Sequence, residues 1–224
     1  MRRAFIPLLV ASVCFLGDTE RTLTFHLLNQ AGQRPAEAKK PAEQAHAAKQ
    51  PEAAPALNLT APGAFGIVPD GDSKVPSEQR LSVADPPGGP PRPGLRVLRI
   101  DYKFSPGWKF VRVAPATGTP RAIAGMPKAL DLWVYGDGSG QVVRLRFIDA
   151  TKQAFQEDGG FLTWKGWKQV SFPMNAAGSH DHWGGANDGQ IHYPIAWNTV
   201  FLIDNHKRQA TEGTVYIAGP VLVY

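Results

Sequence analysis

From Leu98 to the C-terminus one constraint recurs: apolar side chains fall on every second residue, in short blocks broken by Gly, Asp, Asn and Pro. Period-two alternation puts one set of side chains on each face of an extended strand. Leu98, Ile100, Tyr102 and Phe104 alternate with Arg99, Asp101 and Lys103. Trp108 to Val113 continues as a second strand, with Lys109, Val111 and Val113 opposed to Trp108, Phe110 and Arg112. Leu130 to Tyr135 and Val142 to Asp149 flank Gly136-Asp137-Gly138-Ser139-Gly140, and such a turn between two alternating runs predicts a hairpin. Gln153 to Gln156, Trp167 to Pro173, Val200 to Asp204 and Thr214 to Tyr224 read as further strands, and no segment carries a sustained helical period. Many short strands with turns between them predict an all-β fold, an antiparallel β-sandwich of jelly-roll type.

The rest of the 224-residue chain does not supply a comparable core. Residues 32 to 57 are Ala, Pro, Lys, Glu and Gln with almost no large apolar side chain to offset the entropy of ordering, so residues 18–57 read as a disordered Ala/Pro-rich linker. Residues 58–94 form an irregular lead-in, with Phe65 to Val68 and Gln79 to Val83 as candidate edge strands and Pro86 to Pro93 as a stiff spacer. The module proper covers 95–224, a comfortable single-domain size. At the N-terminus, Arg2 and Arg3 precede an apolar run from Ala4 to Gly17, which Asp18, Glu20 and Arg21 close. That is the pattern of a signal peptide over residues 1–17, and it is shorter than the roughly 20 apolar residues a membrane span needs. The expected location is therefore secreted, periplasmic or in the cell envelope, with no transmembrane span.

Cys14 is the only cysteine, so a disulfide framework and a zinc-thiolate site are excluded. Bulky Val13 just before it argues against a lipidated cysteine. The formal charge of +5 comes from scattered Lys and Arg rather than one dense run, which favours solubility over a nucleic-acid partner. A sequon, Asn58-Leu59-Thr60, lies at the start of the lead-in.

Two candidate surfaces follow. If the hairpin pairs, alternation sends Leu130, Leu132 and Val134 inward with Val143, Leu145 and Phe147, and gathers Trp133, Tyr135, Arg144 and Arg146 on one outer face. Trp167 and Gln169 join them from the later strand. Aromatic rings mixed with Arg and Gln suit a sugar, whose C–H faces stack and whose hydroxyls need donors and acceptors. The competing reading has this face packed under loops or another sheet, with arginines laid over rings. The second surface is the loop from Ser179 to Pro194. His180 and His182, with His192 further on, have ligand chemistry for zinc, but no regular element fixes them and no acid stands ready to polarise a bound water. No metal is assigned, and Trp183, His192, Tyr193 and Trp197 are the alternative, one wall of a sugar site.

Enzyme readings fare poorly. Glycoside hydrolysis needs two carboxylates roughly 5 to 10 Å apart, and Asp149, Glu157, Asp158, Asp181, Asp188 and Asp204 are scattered over turns. Ser139 sits one step too late for a nucleophile elbow, and no Gly-Lys-Ser/Thr follows the glycines. No catalytic residue is expected.

The runs Leu132-Trp133-Val134-Tyr135-Gly136-Asp137-Gly138-Ser139-Gly140, Arg144-Leu145-Arg146-Phe147-Ile148-Asp149 and Trp164-Lys165-Gly166-Trp167 resemble the galactose-binding-like jelly rolls related to family 11 carbohydrate-binding modules. The likeness covers roughly residues 95–224. It implies two antiparallel sheets, a ligand groove on a concave face or in end loops, and a structural calcium. Many relatives carry acidic residues in the last strand where this chain has Ile217-Ala218-Gly219-Pro220-Val221, so no cofactor is expected. The resemblance implies a polysaccharide or other glycan as partner for an exported, non-catalytic module, which would work alone or beside an envelope protein or separate glycosidase. The alternative is an envelope structural or protein-interaction module.

Overall fold

The computed structural model describes residues 53–55, 57–72, 77–89, 91, 95–117, 121–175 and 181–224. The proposed signal peptide with Cys14, most of the 18–57 linker, and His180 lie outside the described residues.

The described residues form two antiparallel sheets face to face and contain no helix. One sheet, A, is built from β1 (Ala53–Pro55), β3 (Ser77–Ala84), β4 (Val97–Phe104), β7 (Ala129–Asp137), β10 (Lys165–Pro173) and β13 (Thr211–Val223), in the order β10-β7-β13-β4-β3 with β1 paired to β13. The other, B, holds β2 (Phe65–Gly71), β5 (Lys109–Pro115), β6 (Ala122–Ile123), β8 (Val142–Ile148), β9 (Ala154–Phe161), β11 (Asp181–Trp183) and β12 (Ile195–Asp204), in the order β11-β9-β8-β12-β5-β2 with β6 paired to β12. The chain passes repeatedly from one sheet to the other, the antiparallel β-sandwich of jelly-roll type that the alternation predicts.

Alternation is kept almost residue by residue, because each strand has one face in a dry core. Leu98, Ile100, Tyr102, Phe104, Leu130, Leu132 and Val134 from sheet A meet Val111, Val113, Val143, Leu145, Phe147 and Trp197 from sheet B. Phe172 of β10 meets Phe201 of β12 edge-on, ring centroids 6.5 Å apart, which ties the two layers together. Each such side chain contributes roughly 1.5–3 kcal/mol by leaving water.

Two findings differ from the sequence reading. The module begins earlier: Ala53–Pro55 pairs with Val221–Val223 inside the stretch assigned to linker, and β2 and β3 of the lead-in form outer strands of the two sheets. The second concerns β7 and β8, which are not a hairpin. The chain turns at Gly138 (φ 76°) and Gly140 (φ 75°) and crosses from sheet A to sheet B. The turn is held by neighbours rather than across a ladder: Tyr102 Oη donates to Asp137 (2.7 Å), Gly140 N to Leu162 O (2.9 Å) and Leu162 N to Gln141 O (2.8 Å). Alternation cannot separate these alternatives, since an arch and a hairpin bury the same residues. They differ in the outer faces, which in an arch point to opposite sides of the sandwich.

Candidate functional site

The arch divides the six residues expected on one surface. Trp133, Tyr135, Trp167 and Gln169 lie on the outer face of sheet A, where Trp167 stands opposite Tyr135 and Gln169 opposite Trp133. Arg144 and Arg146 lie on the outer face of sheet B. The expected juxtaposition of the arginines with Trp133 and Tyr135 is therefore corrected.

On sheet A, Tyr135 is edge-on to both Trp167 (5.4 Å) and Tyr216 (5.7 Å), and the Arg99 guanidinium lies 5.9 Å from the Tyr216 ring. This aromatic row is roofed. Trp167 Nε1 donates to the carbonyls of Pro87 (3.0 Å) and Gly89 (2.9 Å), so the proline-rich lead-in crosses over it. Trp133 is half-buried with its Nε1 enclosed, and Gln169 Nε2 is engaged with Asp131 at 3.2 Å. On this face the lead-in backbone covers Trp167, while Gln169 stays exposed.

The outer face of sheet B is open. A groove of about 490 Å³ runs over it, with Arg144, Arg146 and Gln156 in its floor and Trp108 and Trp183 among its walls. Strand register explains the gathering: Arg144 stands opposite Asp158 and Arg146 opposite Gln156 on β9, Asp181 of β11 adjoins Gln156, and Phe110 of β5 lies between Asp204 and Asp70. Arg146 donates from Nε to Gln156 Oε1 (2.7 Å) and from Nη1 to Asp70 Oδ2 (3.2 Å). Its guanidinium carbon is 5.5 Å from the Phe110 ring and 5.3 Å from the Trp183 ring. Arg144 donates to Asp158 and Asp204, and Arg112 pairs with Asp70 at 3.1 Å. Trp108 packs edge-on against Phe110 at 5.0 Å, yet it is 52% exposed, and Trp183 is 44% exposed. Large apolar rings left this open beside a charged floor are the feature of the surface that most needs a partner.

The electrostatics follow from burial and pairing. Burial raises the Asp204 carboxyl above the usual carboxylate value despite the attraction of Arg144. Burial works the same way at Asp70, but the Gly71 amide and the Arg146 and Arg112 guanidinia overcome it and hold Asp70 low. Burial lowers Arg146 in spite of its partners, whereas Asp158 and Asp204 outweigh burial at Arg144 and raise it. No hydrogen bond joins Nη2 of either arginine to the described residues, which leaves donors for a ligand oxygen.

The expected loop wall does not assemble. Trp183 faces the groove, but Trp197 is 1% exposed in the core, so its assignment to a binding surface is corrected. Tyr193 packs against the same core. His192 is engaged elsewhere: its N donates to Asp149 Oδ2 (3.2 Å) and its Nε2 meets Asp188 Oδ2 at 2.9 Å. Among the described residues no three His, Cys, Asp or Glu side chains are grouped to hold a metal ion.

Sequence reasoning missed Trp108, Phe110, Asp70, Gln156 and Asp181 as groove residues. The alternation of Phe110 and Arg112 with Val111 and Val113 carried part of the signal, obscured by Lys109, which occupies an inward position and is 2% exposed.

No protein-family model matches the chain, and no curated protein matches it. Among solved structures, it is similar to the family 11 carbohydrate-binding module of the cellulosomal cellulase Lic26A-Cel5E of Clostridium thermocellum, with a TM-score of 0.48 and 6% identity over 71% of this chain and 87% of that one. It is also similar to a structure described under the promiscuous specificity of carbohydrate-binding modules from the β-sandwich superfamily, with a TM-score of 0.46 and 8% identity over 76% of this chain and 61% of that one. Both likenesses are ones of fold.

Proposed function

We propose that the chain is an exported, non-catalytic glycan-binding module, and that its binding surface is the groove on the outer face of sheet B. The observation that carries this reading is the pair of exposed indoles, Trp108 and Trp183, beside a floor whose arginines are already charge-balanced by Asp70, Asp158 and Asp204. Such a floor offers N–H donors without a strong net field, and open indoles offer flat apolar platforms. A sugar needs both. Export is supported by the signal-like run from Arg2 to Gly17.

Isothermal titration against soluble plant, fungal and bacterial oligosaccharides tests it. Binding is expected, with Trp108→Ala and Trp183→Ala each losing about tenfold or more in affinity, as truncation of aromatic anchors does. Trp133→Ala and Trp167→Ala, on the roofed face, should leave affinity within about twofold. Absence of binding to every glycan, or full affinity in both groove variants, overturns the reading.

A further inference from the structure

We propose that the groove prefers a glycan bearing free ammonium groups, an amino-sugar polymer, and that Asp181 is the residue that receives the ammonium. This deepens the groove reading above and depends on it.

Although the chain is net positive at +5, the groove is not. Its lining sets Arg144 and Arg146 against Asp70 and Asp181, and the residues paired with that lining, Arg112, Asp158 and Asp204, add one more negative charge than positive. The carboxylates are not equivalent. Asp70 is shared by Arg112 and Arg146, and Asp158 and Asp204 are both taken by Arg144. Asp181 has no ion pair among the described residues; its one hydrogen bond there is a long one from Gln156 Nε2, at 3.5 Å. It is exposed and lines the groove with Trp183 of its own strand. Asp181 adds to the field that raises Arg144, but it is the carboxylate of the groove lining that no guanidinium among the described residues holds within ion-pair distance, and it is accessible.

Three ligand chemistries can be compared at that point. A uronate or sulfated glycan brings an anion towards Asp181 and towards guanidinia whose charge is already neutralised, so it gains little and is repelled. A neutral glycan meets Asp181 with hydroxyl donors alone. An amino sugar neutralises the carboxylate and supplies three N–H donors, and charge-assisted hydrogen bonds are about twice as strong as neutral ones. Its ammonium is also attracted to the face of an open indole such as Trp108. The basic character of the whole chain thus misreads the site, because local pairing rather than net charge decides what the groove selects.

The test uses the full chain and three soluble probes titrated at about pH 5.5, where sugar amines are protonated: a glucosamine oligomer, the same oligomer N-acetylated, and an oligogalacturonate. The glucosamine oligomer is expected to bind about three- to tenfold tighter than its acetylated counterpart, the size of one accessible charge-assisted contact. The advantage should shrink as salt rises. Asp181→Asn should bring the two within about twofold of each other. Equal or weaker binding of the glucosamine oligomer, an unchanged preference in Asp181→Asn, or tightest binding of the galacturonate overturns the inference. If the acetylated oligomer binds and Trp108→Ala abolishes it while no amine preference appears, the groove reading stands and the amino-sugar inference falls. If none of the three oligomers binds while another glycan does, the amino-sugar inference alone falls.

Discussion

The guanidinium of Arg146 lies 5.3 Å from the centroid of the Trp183 ring, although the two residues come from different strands of sheet B with β9 between them. The contact holds an otherwise exposed indole at the groove wall, since Arg146 is itself fixed by Gln156 and Asp70. Arg146→Met should therefore lower stability by about 2 kcal/mol, from lost charge-assisted hydrogen bonds with Asp70 still held by Arg112. Glycan affinity should fall with it, because Trp183 loses its backing. Chemical denaturation followed by Trp fluorescence measures the first effect and titration the second; a stable variant with unchanged affinity would count against the backing role.

Exposed and buried tryptophans should separate cleanly. Trp108→Ala and Trp183→Ala remove rings that are 52% and 44% exposed, and each should move the melting temperature by no more than about 3 °C. Trp197→Ala empties a site in the core, where the residue is 1% exposed, and should cost about 3–5 kcal/mol. Thermal melts of the three variants side by side decide this. A Trp197 variant as stable as the parent would contradict its placement.

The roof over sheet A gives a third expectation. Trp167→Phe keeps a ring against Tyr135 but deletes the N–H that holds the Pro87 and Gly89 carbonyls. A loss of about 1 kcal/mol is expected, with faster proteolysis confined to the lead-in around Gly88 and no change in glycan affinity. Mass spectrometry of limited digests locates the cleavage; cutting elsewhere first would show that the indole does not hold this segment.

The legible and illegible parts of this fold have a common physical root. Inward sets such as Leu130, Leu132 and Val134 were legible because burial of one face writes a period of two into the sequence. Which strand lies beside which was not, because β7 and β8 bury the same residues whether they pair or separate at Gly138. The outer-face grouping inherits that ambiguity, so alternation alone sets Arg144 and Arg146 beside the wrong aromatics. The rings that Arg146 does meet, Phe110 and Trp183, are 36 residues before it and 37 after it, and no local pattern spans such distances.

The loop behind Trp183 yields the last expectation, one that depends on pH. The Asp149 carboxylate accepts from Thr151 N (2.9 Å), Thr151 Oγ1 (2.7 Å), Gln153 N (2.9 Å) and His192 N (3.2 Å), which ties the β8–β9 turn to the far end of the β11–β12 connection. Burial alone would raise its pKa, but these donors hold it below the usual value. Asp188 is held at about 2, first by the Gln190 amide and then by His192. Both folded values are depressed, so both carboxylates contribute stability that is present above the ordinary carboxylate range near about 4 and is lost as pH falls through the folded values. The stability gap between the parent and Asp188→Asn should accordingly be open near pH 6 and close as pH falls towards about 2. Asp149→Ala leaves three amide donors without an acceptor and should cost about 3 kcal/mol at neutral pH. Because Trp183 stands on the short strand that this connection steadies, glycan affinity should drop in Asp149→Ala even though Asp149 does not line the groove. Denaturation curves from about pH 2 to 7, paired with titration at neutral pH, test both halves. A gap that widens on acidification would reverse the sign assigned to Asp188, and full affinity in Asp149→Ala would uncouple the loop from the indole.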